Sequence, residues 1–312
     1  MIKNKLSIII PCYNEEQNIK LIENSIKKSL RKISYEIIFI NDGSKDKTSY
    51  ELRKLVKKSD EAIKVIEFSR NFGKDAAIYA GIENSNGDYL VIIDADMQQD
   101  PSLIVKMLEE IENNKEIDIV AYYQSKRIEG PFIKFLKKSF YSIISKITKT
   151  EFKSGVSDFR LFRRNVADAI LNLKETSRFT RGIFNWVGFN TMYLPYVPNK
   201  RKYGKSKYPL KKCIKYAIDG ITSSTVRPLE IIMPIGIVFI IISLILLPII
   251  LINSKESILI KILIPLIINI AGIIIVLLGI VGKYISNIYN DQKSRPIYIS
   301  KETYSSNKIK EK

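Results

Sequence analysis

Two long uncharged segments in the C-terminal third constrain this chain more than any other feature. Residues 231–252 and 262–281 contain no Asp, Glu, Lys or Arg and are rich in Ile and Leu. A helix of about 20 apolar residues can cross the hydrocarbon core of a bilayer. The connection over 253–261 is short, so we predict a two-helix transmembrane hairpin with both outer ends on one side. Two buried core helices are the alternative, which the length and composition of both segments disfavour.

Basic residues flank the outer ends of this predicted hairpin: Arg227 before it, and Lys283, Lys293 and Arg295 after it. Such residues accumulate on the cytoplasmic side of membrane proteins, although Lys255 and Lys261 in the connection weaken the contrast. We therefore predict a multi-pass protein of the inner (plasma) membrane whose larger N-terminal part is cytoplasmic.

The charge and the absent residue types narrow the chemistry. The formal net charge is +18, which in a chain with membrane segments favours an anionic membrane surface or a phosphate-bearing substrate over nucleic acid. Histidine is absent, and this excludes Ser-His-Asp catalysis and His-ligated zinc. Cys12 and Cys213 lie far apart and predict no disulfide framework. The chain opens directly into a strand pattern, so we expect no signal peptide.

From Leu6 to about Tyr123 the chain alternates between strand and helix patterns. Apolar runs at 6–10, 36–40, 63–68, 89–93 and 117–122 predict strands, and the segments between them have the spacing of amphipathic helices. This alternation predicts an α/β fold with a mostly parallel sheet and helices on both faces.

Acidic residues follow three of these predicted strands. Glu15 comes after the first strand, Asp42 after the second, and Asp94 and Asp96 after the fourth. In an open α/β sheet these carboxyl ends lie at one edge, where ligands bind. Mg²⁺ and Mn²⁺ bind carboxylate and phosphate oxygens, so the pattern favours a nucleoside-diphosphate site over a solvated Asp pair. Motifs for dinucleotide and P-loop phosphate binding are missing.

Several segments resemble a known family. They are SIIIPCYNEE (7–16), NDGSKDKT (41–48), SRNFGK (69–74), SDFRL (157–161), WVGF (186–189) and RKYGKSKY (201–208). Together they resemble family 2 glycosyltransferases with the GT-A (Rossmann-like) fold. More narrowly, they are similar to the polyprenyl-phosphate branch, which includes dolichol-phosphate mannose synthases and bacterial bactoprenol glucosyltransferases.

The resemblance implies roles for particular residues. The donor nucleotide would be held by Pro11, Tyr13, Glu15, Ile40, Asp42, Asp94, Ala95 and Asp96, and a Mg²⁺ or Mn²⁺ ion by Asp96 and Gln98. The residues at or near the reacting centre would be Asp158, Asp94, Arg127, Arg201 and Lys207. Asp158 would act either as a base or only as an orienting group. The chain departs from the family at three positions. Asp100 lies one residue further from Asp96 than the corresponding acid of many members, and Gln124 and Pro198 stand where many bacterial members have arginines.

The implied reaction is inverting transfer of a hexose, with glucose from UDP-glucose as the expected donor, to polyprenyl (undecaprenyl) phosphate for modification of a cell-envelope glycan. GDP-mannose or another sugar nucleotide is an alternative donor. A catalytically inactive membrane scaffold is the alternative of another class. A processive polysaccharide synthase is disfavoured, because the Gln-x-x-Arg-Trp motif of those enzymes is missing around Trp186.

These expectations divide the chain into four parts. Residues 1–208 would form the cytoplasmic GT-A domain, 209–228 a juxtamembrane interfacial helix, 229–283 the two transmembrane helices, and 284–312 a basic cytoplasmic tail. Segments 135–147 and 210–226 have the pattern of basic amphipathic helices that lie in lipid headgroups, or of core helices with a solvated face. Gly272, Gly279 and Gly282 permit close helix contacts in a homo-oligomer.

Overall fold

The computed structural model describes residues 5–125, 156–173, 175, 178–199 and 256–306, with single positions at 229, 234, 238, 241 and 245. The strands are β1 (Leu6–Cys12), β2 (Tyr35–Asn41), β3 (Ile63–Phe68), β4 (Tyr89–Ile92), β5 (Ile119–Gln124), β6 (Val156–Arg163), β7 (Thr191–Tyr196) and β8 (Ser300–Ser305). The helices are α1 (Ile19–Ser29), α2 (Thr48–Lys58), α3 (Lys74–Glu83), α4 (Leu103–Asn113), α5 (Arg164–Leu171), α6 (Thr180–Trp186) and α7 (Glu256–Gln292).

The strands form one sheet in the order β7-β5-β6-β4-β1-β2-β3-β8. Its centre, β4-β1-β2-β3, is parallel, and β5 pairs in parallel with β7. Strand β6 is antiparallel to both β4 and β5, and β8 is antiparallel to β3. The predicted α/β fold with a mostly parallel sheet is confirmed, while the antiparallel strands β6 and β8 were not predicted.

Helices cover both faces of the sheet, as the alternation predicted. Ile8 and Ile10 of β1 pack in one buried cluster with α1 and α4, whereas Ile9 packs in a second cluster with α3. Neighbouring side chains of a strand point to opposite faces, so a strand covered on both sides needs an unbroken apolar run. This explains why the central strands carry so little polar sequence.

One described helix satisfies the length and composition of a membrane span. Within α7, Gly272–Gln292 has a mean hydropathy of 1.7. Its side chains are largely exposed, with Ile275 at 68% and Leu278 at 63%. The predicted span at 262–281 therefore lies in a helix. The predicted span at 231–252 lies outside the described residues apart from isolated helical positions, so the two-helix hairpin and the multi-pass topology are not confirmed.

The segment after α7 returns to the sheet. Residues 284–312 were expected only as a basic tail, but Ser300–Ser305 forms the edge strand β8, which pairs with β3 from Lys64 to Phe68. The sequence SKETYS has no apolar alternation, because most side chains of this edge strand are exposed. The two predicted amphipathic segments, 135–147 and 210–226, lie outside the described residues.

Candidate active site

Asp42 lies in a cradle of hydrogen-bond donors at the carboxyl edge of the sheet. It directly follows β2, and its carboxylate accepts bonds from the Phe72 N–H (2.6 Å), the Gly73 N–H (3.1 Å) and the Asn71 side-chain amide (2.8 Å). Strands β2 and β3 run parallel, so the loop after β3 meets Asp42 at this edge. Burial raises the pKa of Asp42 to about 6, although the Phe72 and Gly73 N–H groups act in the opposite direction.

The loops after β1 and β2 are bonded to each other. The Asn14 N–H donates to the Ser44 hydroxyl (2.9 Å), the Glu15 N–H donates to the Thr48 hydroxyl (2.8 Å), and the Asn14 side-chain oxygen accepts from the Lys45 N–H (2.8 Å). Asn14 has a φ of 52°, a left-handed conformation that Asn tolerates. These bonds place the predicted donor residues Tyr13 and Glu15, both half-buried, at the edge that carries Asp42.

Gly43 allows the chain to turn immediately after Asp42. Its φ is 63°, and a Cβ atom there would overlap the Arg70 carbonyl carbon and lie 2.6 Å from the Asn71 nitrogen. Both contacts are to backbone, which cannot move aside without disturbing the donors around Asp42. Only glycine satisfies both the conformation and the available space.

We expect Gly43→Ala to lower the free energy of unfolding by about 2–4 kcal/mol, combining the cost of a positive φ with that of overpacking. Gly188→Ala is the matched control, because Gly188 has a φ of 72° but the nearest atom that the added Cβ would meet among the described residues is the Trp186 carbonyl oxygen, at 4.0 Å. The control should lose only about 1 kcal/mol. Denaturant unfolding of the detergent-solubilised protein measures both, and equal losses would contradict the steric argument.

Asp94 and Asp96 flank Ala95 just beyond β4. One Asp94 oxygen lies 2.5 Å from the Lys74 ammonium, and the other accepts a bond from the Gln99 amide (3.0 Å). The Asp96 Oδ1 atom accepts the Gln98 N–H (3.1 Å) across a turn in which Met97 has a φ of 62°. The two carboxylates therefore have different surroundings, although they are only two positions apart.

Lys74 joins two carboxylates that are distant in sequence. Its ammonium lies 2.5 Å from Asp94 and 2.8 Å from Asp158, and the Arg181 Nε atom donates to the other oxygen of Asp158 (3.0 Å). We call Asp94, Asp158, Lys74 and Arg181 the Lys74 cluster. Asp158 comes from β6, Arg181 from α6 and Lys74 from the first position of α3. Lys74 and Arg181 were not among the site residues predicted from the sequence. The only sequence signal for Lys74 was the SRNFGK segment, for which no role was predicted.

The cluster determines the charge state of Asp158, whose side chain is 8% exposed. Burial alone would raise the pKa of this carboxyl, but Arg181 and Lys74 outweigh burial and hold the pKa well below its usual value. The two carboxylates in turn raise the pKa of Lys74 against the effect of its own burial. Asp158 is therefore an anion at neutral pH, and an anion stabilised this strongly is a weak base.

Two of the predicted donor residues present no side chain to the edge of the sheet. Ile40 is fully buried among the residues of the second core cluster, and Ala95 is 3% exposed in the first. Their contribution to a ligand is restricted to backbone atoms. Pro11 is half-buried and pairs with Ile40 across β1 and β2. Arg127, Arg201 and Lys207 lie outside the described residues.

Asp96 and Gln98 suit a hard divalent cation as a partial ligand set. Carboxylate and amide oxygens are the donors that Mg²⁺ and Mn²⁺ prefer. Within the described part of the chain, no group of three or more His, Cys, Asp or Glu side chains could hold a metal ion. This pattern fits an ion bound by one or two protein side chains together with substrate phosphates.

Comparison with known proteins gives consistent matches over nearly the whole chain. The family model described as Glycosyl transferase family 2 matches residues 7–171. The uncharacterized glycosyltransferase YkcC of Bacillus subtilis is 37% identical, covering 96% of this chain and 94% of its own. The bactoprenol glucosyl transferase of Shigella phage SfX is 32% identical, covering 95% of this chain and 99% of its own.

A solved structure shares the fold. It is glucosyl-3-phosphoglycerate synthase from Mycobacterium tuberculosis, in complex with Mn²⁺, uridine diphosphate and phosphoglyceric acid. The alignment has a TM-score of 0.52 and 18% identity, and covers 72% of this chain and 78% of that one.

Proposed function

The chain belongs to glycosyl transferase family 2, and we propose that it transfers a hexose from a nucleoside-diphosphate sugar to polyprenyl phosphate at the cytoplasmic face of the membrane. The expected donor is UDP-glucose and the expected acceptor is undecaprenyl phosphate. Full-length similarity to relatives named bactoprenol glucosyl transferases supports the lipid acceptor. We call Asp42 and its donors Asn71, Phe72 and Gly73 the Asp42 cradle. The observation that carries the proposal is that this cradle adjoins the Lys74 cluster, because Gly73 of the cradle and Lys74 of the cluster are consecutive residues.

The Asp42 cradle is the proposed site of the donor nucleotide. Tyr13, Glu15 and Asp42 would contact the base and ribose, with backbone atoms of Pro11, Ile40 and Ala95 nearby. Asp94 and Asp96 would face the diphosphate and the sugar. A Mg²⁺ or Mn²⁺ ion held by Asp96 and Gln98 would supply charge neutralisation for the departing diphosphate. Mn²⁺ and uridine diphosphate in the structure that shares the fold support a divalent ion with a uridine nucleotide.

The acceptor needs orientation more than deprotonation. A phosphate monoester has a second pKa near 6, so much of it is already a dianion at neutral pH. The sequence left two roles open for Asp158, a base or an orienting group. The low pKa of Asp158 supports the orienting role. Lys74 and Arg181 would offset the negative charge that donor and acceptor bring together. We expect a single displacement with inversion. An acceptor phosphate oxygen would form the new bond to the anomeric carbon on the side opposite the departing group, as the bond to the β-phosphate oxygen breaks and the nucleoside diphosphate leaves.

A donor panel tests the proposed function. Purified protein in nanodiscs is mixed with undecaprenyl phosphate, Mg²⁺ or Mn²⁺, and UDP-glucose, GDP-mannose, UDP-galactose or UDP-N-acetylglucosamine. We expect a lipid product heavier by one hexose, with inverted configuration at the anomeric carbon. Absence of product and of metal-dependent nucleotide binding with every donor would favour the inactive scaffold. Product formed only with GDP-mannose would show that the donor is GDP-mannose rather than UDP-glucose.

The raised pKa of Asp42 predicts a pH dependence of donor binding. As the pH falls through about 6, Asp42 takes up a proton and loses the negative charge that would accept bonds from ribose or base. We expect the Kd of UDP-glucose to rise several-fold between pH 7.5 and pH 5, as measured by calorimetry. UDP-glucose is the suitable probe, because its diphosphate is esterified at both ends and has no ionisation in this range. Asp42→Asn should bind weakly with no such dependence, and an unchanged slope in that variant would exclude Asp42 as its origin.

A further inference from the structure

The segment after helix α7 is firmly attached to the sheet. The Arg53 guanidinium forms two bonds with the Glu302 carboxylate (2.6 and 3.0 Å) and lies over the Tyr304 ring. The Tyr304 hydroxyl donates to Glu67 on β3 (2.7 Å). The Ser306 hydroxyl accepts the Ile63 N–H (3.0 Å). These contacts add side-chain anchors to the backbone pairing of β8 with β3.

Tyr298 lies between α7 and β8 and contacts two elements of the catalytic domain. Its ring stacks on Phe68, the last residue of β3, with ring centroids 4.8 Å apart and an interplanar angle of 23°. Its hydroxyl donates to Glu83 (2.6 Å) and accepts from the Asn84 amide (3.2 Å), at the C-terminal end of α3. The membrane-type helix ends at Gln292, only six positions earlier, which spans at most about 20 Å of chain.

The aromatic contacts continue from Tyr298 to the Asp42 cradle. Phe68 meets Phe72 edge to face, with centroids 5.7 Å apart and an angle of 88°. The Phe72 N–H makes the 2.6 Å bond to Asp42, and the Arg70 guanidinium carbon lies over the Phe72 ring, 4.1 Å from its centroid. Tyr298, Phe68 and Phe72 therefore form a continuous series of ring contacts, which we call the stack, from the segment after α7 to the donors around Asp42.

We propose that Tyr298 is a positioning residue for the donor site, acting through Phe68 and Phe72 on the loop that binds Asp42. The proposal rests on the proposed function, because it takes the Asp42 cradle as the donor nucleotide site. Its consequence is that the segment emerging from the membrane-type helix holds the nucleotide pocket in shape. The membrane helix and the donor site are thereby linked by side-chain contacts as well as by the chain.

Kinetics of Tyr298→Ala and Tyr298→Phe test this role. Tyr298→Ala should raise the KM for UDP-glucose about 3- to 10-fold, the size expected for one lost aromatic pair, with kcat changed less than 2-fold. Tyr298→Phe keeps the ring and loses the bonds to Glu83 and Asn84, and it should keep the wild-type KM within 2-fold. Tyr304→Ala is the matched control, since it removes a tyrosine of the same segment from outside the stack.

A second measurement is independent of transfer. Hydrogen exchange followed by mass spectrometry reports on the Phe72 and Gly73 amides, which bond to Asp42. We expect faster exchange in peptides covering 68–75 for Tyr298→Ala, and wild-type exchange there for Tyr298→Phe and Tyr304→Ala. Unchanged exchange and KM in Tyr298→Ala, or equal changes in Tyr304→Ala, would overturn the positioning role. A wild-type protein that binds no sugar nucleotide would refute the proposed function instead, and the exchange data would still decide whether the stack holds the loop.

Discussion

Lys74→Met is expected to lower kcat for glycosyl transfer by about 10²–10³-fold, the usual loss when one preorganised charge is removed from an active site. The Lys74 ammonium lies within 2.8 Å of both Asp94 and Asp158. Among the described residues, its loss leaves Asp94 with only the neutral Gln99 amide and leaves Asp158 paired with Arg181 alone. Removing one partner of a buried ion pair also destabilises the fold, here by about 2–4 kcal/mol because the lysine is 28% exposed. Initial rates with UDP-glucose and undecaprenyl phosphate measure the first effect.

A pH profile separates this charge effect from simple unfolding. Lys74 helps to hold the pKa of Asp158 below its usual value, so Lys74→Met should move the acid limb of kcat to higher pH. The limb is measured at saturating UDP-glucose, so that protonation of Asp42 does not limit donor binding. Lys74→Arg should keep that limb in place with a partial loss of rate, because it keeps the charge with a different geometry. Lys5→Met removes a lysine–carboxylate pair, with Glu36, outside the site and should leave the profile unchanged. An acid limb that does not move in Lys74→Met would refute the electrostatic role.

Asp96→Asn is expected to abolish transfer, with at least a 10³-fold loss, while the protein stays folded. Asn keeps an oxygen that can accept the Gln98 N–H, so the turn around Met97 is retained. It lacks the negative charge that would hold a divalent ion beside the diphosphate. Transfer assays give the rate, and calorimetry of uridine diphosphate with and without Mn²⁺ gives metal-dependent binding as a separate readout.

Asp100→Asn is the matched control for this substitution. Asp100 is an exposed neighbour whose carboxylate accepts the Ser102 N–H (2.9 Å) in the turn before helix α4, and an Asn side chain can accept the same bond. We expect wild-type rate and metal-dependent binding in Asp100→Asn. Wild-type turnover in Asp96→Asn would show that Asp96 is not a metal ligand. A large loss of rate in Asp100→Asn would indicate that Asp100 binds the metal instead.

The strands and turns that depend on residues adjacent in sequence could be predicted. Unbroken apolar runs predicted β1 to β5, and turn residues predicted that Asp42, Asp94 and Asp96 would follow strands. Parallel strands place their carboxyl ends at one edge, so the position of these acids followed from topology alone. The buried side chain of Ile40 shows the limit of this reasoning, because a family position does not say whether side chain or backbone faces the ligand.

The sequence by itself determined the α/β class, the acidic edge of the sheet, the family and an apolar helix suited to a bilayer, because each depends on local periodicity or on contiguous motifs. Only the tertiary structure decided that β6 inserts antiparallel between β4 and β5 and brings Asp158 to Lys74, 84 positions away in sequence. It also decided that the polar segment after α7 returns to the sheet as β8. There the Tyr304 hydroxyl bonds to Glu67, which lies 237 positions earlier in the sequence. Ion pairs and edge-strand pairing join groups that carry no mutual signal along the chain, so their partners are selected only when the folded backbone brings them within bonding distance.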